Sequence, residues 1–151
     1  MRFFAFSLML AACFPGYAAE ADYRITSDPG GAIETYKIKY GIVRDRGGRV
    51  IVDGPCDSAC TLVLGIVPLN RICVTPRASF GFHMAYYDVA ATEGARVVSH
   101  MGSAEFMSLY PEAVKDWLRK HGGLTPEAKF LDNGPELWAI VDPCPEEVIG
   151  D

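Results

Sequence analysis

The chain has 151 residues, half of them apolar, with a formal net charge of −5. That composition belongs to a folding chain rather than a disordered one, and mild acidity argues against a nucleic-acid surface, which needs clustered Lys and Arg. Behind the leader expected below, roughly 130 residues remain, enough for one domain with a real core and too few for two.

Arg2 is followed by Phe3-Phe4-Ala5-Phe6-Ser7-Leu8-Met9-Leu10-Ala11-Ala12, an apolar run too short to span a bilayer as a helix. It reads as an export signal over residues 1–21, and a single domain is expected over 22–151. Cleavage fits after Ala18 or after Ala21, where Ala19-Glu20-Ala21 is the better small-x-small match. Leu10-Ala11-Ala12-Cys13 is also similar to a bacterial lipobox, in which Cys13 would carry a lipid anchor. Soluble export is favoured because the apolar segment before Cys13 is short. No second long apolar run follows, so no membrane span is expected in the mature chain.

Strand and helix signals then alternate. Tyr23-Arg24-Ile25-Thr26 is β-prone and ends in Ser27-Asp28-Pro29-Gly30-Gly31, which is turn chemistry. Ile33, Tyr36, Tyr40 and Val43 recur at intervals of three and four, predicting an amphipathic helix that stops at Gly47-Gly48. A buried strand over 49–53 leads into Cys56-Asp57-Ser58-Ala59-Cys60 and an apolar helix over 59–66. This β-α-β-α order predicts a mostly parallel sheet with flanking helices. Two short strands follow, Arg71-Ile72-Cys73-Val74-Thr75 and Ser79 to Met84, the second delivering His83. Residues 87–92 read as a loop. A helix from about Ser103 or from Pro111 ends at Gly122-Gly123, Thr125-Pro126-Glu127 looks like another helix start, and 136–141 is a short apolar element before Cys144.

Apart from Cys13 the cysteines are Cys56, Cys60, Cys73 and Cys144, which in an exported chain predicts two disulfides with three pairings open. Cys56 and Cys60 read as a clamp on the turn between them. A metal held by Cys56, Cys60 and His83 is disfavoured, since no C-x-x-C pair or histidine cluster supports it. Dinucleotide and phosphate-loop glycine motifs are missing, and no cofactor is expected.

The chemistry centres on Ser58, at a strand-to-helix turn where a serine hydroxyl and the first helical amides reach the same sheet edge. His83 follows 25 residues later and can serve as its base. Gly30 and Gly31, ending the first strand, can turn amides toward that edge, with the Ala59 amide as second donor. Singly, Ser58 reads as well as a helix N-cap and His83 as a hydrogen-bonded core residue. Their joint arrangement with the glycine pair favours chemistry. His100 and His121 read as helix-surface or helix-end residues.

Ile25-Thr26-Ser27-Asp28-Pro29-Gly30-Gly31, then Ser58-Ala59 opening a helix, then Arg71-Ile72-Cys73-Val74-Thr75-Pro76-Arg77-Ala78-Ser79-Phe80-Gly81-Phe82-His83, resembles the core of Clp-type serine proteases over about residues 23–85. The Cys-x-Ser-Ala-Cys-Thr and Gly-Phe-His elements resemble a group of exported Clp-like proteins of bacteria. The resemblance implies an α/β fold of the Clp/crotonase type, mostly a parallel sheet with flanking helices, trimmed of the family's first βα unit. It implies Ser58 as nucleophile, His83 as general base, Gly31 with Ala59 as oxyanion donors beside Gly30, and oligomerisation with copies of itself. The third triad member would be a C-terminal carboxylate, with Asp132 and Glu127 both candidates by rough position; a backbone group or water orienting His83 is the alternative. The expected function is that of an exported serine hydrolase, a peptidase acting on peptide or protein substrates in the periplasm or outside the cell. The alternative is a non-catalytic binding module that keeps the fold. An acyl-coenzyme A hydratase or thioesterase would share the fold, and export argues against it.

Overall fold

A computed structural model describes residues 22–88 and 96–149. The expected export signal, Cys13 included, lies outside the described residues, as does most of the loop expected over 87–92. The architecture is mixed α/β, with small sheets that are partly parallel.

β1 (Tyr23–Ile25) leads through the Asp28–Gly31 turn into α1 (Ile33–Asp45), which returns the chain to β2 (Val50–Val52). α1 buries Tyr36 and Tyr40 and leaves Ile38 and Ile42 outside, so three-and-four spacing sets its inner face. β3 (Pro55–Asp57), a 3-10 turn (Ser58–Leu62) and the four-residue α2 (Val63–Ile66) follow. β4 (Ile72–Val74) and β5 (Ser79–Phe82) come next, then a ribbon of β6 (Tyr86–Asp88) and β7 (Arg96–Val98). The C-terminal part holds α3 (His100–Leu109), α4 (Glu112–Lys120), β8 (Lys129–Asp132), α5 (Pro135–Trp138) and α6 (Glu146–Ile149).

β1, β2 and β4 form a parallel sheet in that order. Every residue of β2 and β4 is buried, as expected of apolar runs covered on both faces. In the second sheet β3 runs parallel to β5, and β8 joins β5 antiparallel. Because β2 leads into β3 after two residues, and β4 into β5 after four, the two sheets share their chain paths. The core includes Tyr40, Leu62, Leu64, Phe80, Phe82, Phe106 and Leu118.

Five expectations are corrected. The strand over 49–53 is shorter, and Pro55–Asp57 forms a separate strand. The helix over 59–66 begins as a 3-10 turn. Tyr87 pairs in the β6–β7 ribbon rather than opening a loop. The helix start at Thr125 is instead the approach to β8, where antiparallel pairing with β5 outweighs a local N-terminal signal. In the region where one helix from Ser103 or Pro111 is expected, two stand, parted at Tyr110 and Pro111, both extended.

The disulfides are Cys56–Cys60 and Cys73–Cys144. The second closes a loop of 71 residues in sequence and holds the tail where Cys144 N–H donates to the Val74 carbonyl at 2.8 Å. Among the described residues, no helix is long and apolar enough to cross a membrane.

Candidate active site

Ser58 has φ 56°, making it the only non-glycine residue with positive φ among the described residues. A left-handed serine between a strand and a helical turn is strained, and such strain persists only where the surroundings impose it. Here the surroundings are Gly30, itself at φ 83°. A Cβ on Gly30 would lie 2.5 Å from the Asp57 carbonyl oxygen, 2.6 Å from Ser58 Cβ and 2.8 Å from the Ala59 nitrogen. Only glycine lets the first turn press so closely on the second.

Asp28 holds that first turn. Its Oδ1 accepts from Gly30 N–H at 3.0 Å and from the Tyr36 hydroxyl, and its Oδ2 pairs with Lys39 at 3.0 Å. Burial pushes the Asp28 carboxyl up, but the hydrogen bonds from Tyr36, Gly30 and Lys39 outweigh it and hold the group below its ordinary value. On the other side of Ser58, the buried Cys56–Cys60 bridge spans the bend. Thr61 Oγ1 donates to the Ser58 carbonyl at 2.6 Å and also meets the Tyr110 hydroxyl.

Ser58 and His83 line the same cleft of about 670 Å³ with Gly30, Gly31 and, on its walls, Ile33, Ala85, Tyr86 and Phe106. That volume suits a small-molecule or peptide segment. His83 follows β5 directly, and its Nδ1 stands 2.7 Å from the Met84 carbonyl oxygen. A carbonyl only accepts, so in the neutral ring Nδ1 carries the hydrogen and Nε2 keeps the lone pair. The ring stacks on Tyr86, centroids 5.1 Å apart and 15° from parallel. Arg96 in turn donates to the Tyr86 hydroxyl at 2.7 Å.

Among the described residues, Ser58 Oγ is hydrogen-bonded neither to His83 nor to amides of its helical turn, and the 3-10 turn has no side-chain cap. The amides of Gly31 and Ala59 donate to no other described residue. Ala59, next to the serine in the chain, is fully buried and does not line the cleft.

Asp132 and Glu127 are not brought to this cleft. Asp132 is exposed and pairs with Ser79, at the far end of β5 from His83. Antiparallel register sets them four positions apart along the strand, about 13 Å. Asp57, which no motif in the sequence marks, stands beside Ser58. Its side chain lies over Gly81, whose Cβ would meet Asp57 Oδ1 at 2.2 Å, and that oxygen is buried without a hydrogen-bond partner. Burial raises the Asp57 carboxyl above its ordinary value, and the opposing pull of the His83 charge does not offset it. Among the described residues no group of three or more His, Cys, Asp or Glu could hold a metal ion.

No protein-family model matches the chain, and no curated protein is significantly similar to it.

Proposed function

We propose that this protein is an exported serine hydrolase, a peptidase, built on a trimmed Clp/crotonase-type core. The observation that carries the reading is Ser58 itself: a strained serine at a strand-to-helix turn, backed by Gly30 and opening onto a cleft shared with His83. The parallel β1–β2–β4 sheet and the second sheet that follows from the same chain segments support the fold assignment. The two disulfides and the apolar run after Arg2 support export.

In the mechanism, Ser58 Oγ attacks the substrate carbonyl carbon while its proton passes to His83 Nε2. The oxygen that becomes negative is received by the Gly31 and Ala59 amides, which donate to no other residue among those described. Collapse expels the amine, which takes the proton from His83. Water, deprotonated by the same ring, then releases the acid and restores Ser58. The Met84 carbonyl sets the tautomer that a triad aspartate sets elsewhere. The cleft's Ile33, Ala85 and Phe106 wall suits an apolar substrate side chain.

A second reading, a binding module that keeps the fold without the chemistry, draws on the missing Ser58–His83 hydrogen bond. Catalytic hydrogen bonds in unliganded enzymes are often long and tighten on substrate, so that gap does not decide against the enzyme. A panel of peptide and ester substrates assayed against wild type and Ser58→Ala separates them. Hydrolysis that vanishes in Ser58→Ala supports the hydrolase; equal rates from both, or none, support the module.

A further inference from the structure

We infer that Asp57 is the carboxylate partner of His83, stabilising the charge on the ring when it takes the Ser58 proton, a role that Asp132 is too distant to fill. The inference rests on reading Ser58 and His83 as nucleophile and base. It begins from an anomaly, a carboxylate oxygen that is buried and unpartnered beside the candidate nucleophile, where buried polar atoms are ordinarily satisfied.

The register explains how Asp57 reaches the histidine. Asp57 and Gly81 are partners in the parallel β3–β5 pair, and His83 lies two residues beyond Gly81. Paired residues of parallel strands share a face, and residues two apart on a strand do also. Gly81 has no side chain, and any Cβ there would collide with Asp57 Oδ1 and crowd Phe130 Cε1 at 3.1 Å. The carboxylate thus lies over Gly81, on the face of the strand that His83 continues, with Phe130 of β8 approaching the same glycine. Asp57 does not line the cleft, so it acts from behind the ring and is a positioning residue rather than one that touches substrate.

Among the described residues, His83 and Asp28 are the ionisable groups that act on Asp57. From the residue just past β5 it is His83, whose positive form favours the carboxylate. From the turn after β1 it is Asp28, whose charge is paired with Lys39. In the step itself the proton leaves Ser58 Oγ and rests on His83 Nε2; none passes to Asp57.

Coupling between two groups is reciprocal, so it can be read from either side and without turnover. The Asp57 carboxyl titration, followed by carbon-detected NMR, is expected to rise by about half a pH unit or more in His83→Ala, where the opposite charge is gone. An unchanged midpoint overturns the inference. In Asp57→Asn the rate at which a fluorophosphonate labels Ser58 is expected to drop roughly tenfold, and its acid limb to move to lower pH. The drop is smaller than for a tautomer-setting aspartate, because the Met84 carbonyl still fixes the ring. A folded Asp57→Asn with the wild-type rate and pH profile overturns the inference too, and if that variant does not fold, the His83→Ala titration decides. Should the probe never label Ser58 in wild type, the hydrolase reading fails, while the NMR arm still decides whether Asp57 and His83 are coupled.

Discussion

Gly30 and Ser58 are packed so closely that a single methyl group on the glycine would stand 2.6 Å from the serine Cβ. The two turns hold each other: Gly30 at φ 83° leaves room for Ser58 at φ 56°, and neither conformation is the ordinary one for an L side chain. Gly30→Ala is expected to displace the serine turn and slow fluorophosphonate labelling of Ser58 by about a hundredfold or more, with a melting-point loss of several degrees. Circular dichroism should still report a folded chain. Labelling at the wild-type rate in Gly30→Ala would show that the contact does not set the serine's geometry.

Acid should destabilise the fold through Asp28 and Asp53. Burial pushes the Asp53 carboxyl up, yet Thr75, Arg77 and Arg24 outweigh it and hold the group below its ordinary value; Asp28 is lowered likewise. A lowered folded-state value means stability present above the ordinary carboxyl range and lost as pH falls through the folded value. Denaturant titrations should therefore show stability declining below about pH 4, and Asp53→Asn should remove about 3 kcal/mol at neutral pH, because it leaves Arg24 and Arg77 without their anion. A flat stability profile down to about pH 2 contradicts this assignment.

Asp57 has the opposite sign. Its carboxyl is raised, so its contribution is fully present below the ordinary carboxyl value and is lost as pH rises through the folded one. Asp57→Asn is thus expected to melt about 2–5 °C higher than wild type at pH 7, with the difference shrinking toward pH 3. Paired with slower labelling, that gain would mark a residue kept at a cost in stability. A variant markedly less stable at pH 7 would indicate that the carboxylate is satisfied in solution.

The two disulfides should separate in their effects. Removing Cys73–Cys144 releases a loop 71 residues long and is expected to cost about 4 kcal/mol, whereas Cys56–Cys60 is expected to cost about 2 kcal/mol. The shorter bridge frames Ser58, so Cys56→Ser/Cys60→Ser should lose labelling out of proportion to its stability. Equal labelling losses in the two double variants would contradict a local role for the clamp.

The parts of the fold legible in the sequence are those whose burial is written in period or composition. α1 follows from Ile33, Tyr36, Tyr40 and Val43, and β2 and β4 from unbroken apolar runs buried on both faces. β3 and β8 were hidden because Pro55-Cys56-Asp57 and Lys129-Phe130-Leu131-Asp132 carry little β-branched or alternating signal, and their pairing partner, β5, is distant in sequence. Of the site, the turn residues and the Ser58-to-His83 spacing could be read, and the cleft they line could be anticipated from strand ends meeting at one edge. Asp57 could not: its burial depends on register against Gly81, which no local pattern reveals. A backbone group orienting His83 could be anticipated as an alternative, but not that it is the Met84 carbonyl, since a backbone acceptor leaves no mark on residue identity.

The most direct measurement is mass spectrometry of the intact protein after fluorophosphonate treatment, with the adduct mapped by peptide and repeated on Ser58→Ala and His83→Ala. One adduct on Ser58 in wild type, absent from Ser58→Ala and slowed by about a thousandfold in His83→Ala, is the expected result. A wild-type protein that stays unmodified, or one modified at Ser58 equally fast without His83, would contradict a Ser58 nucleophile activated by His83.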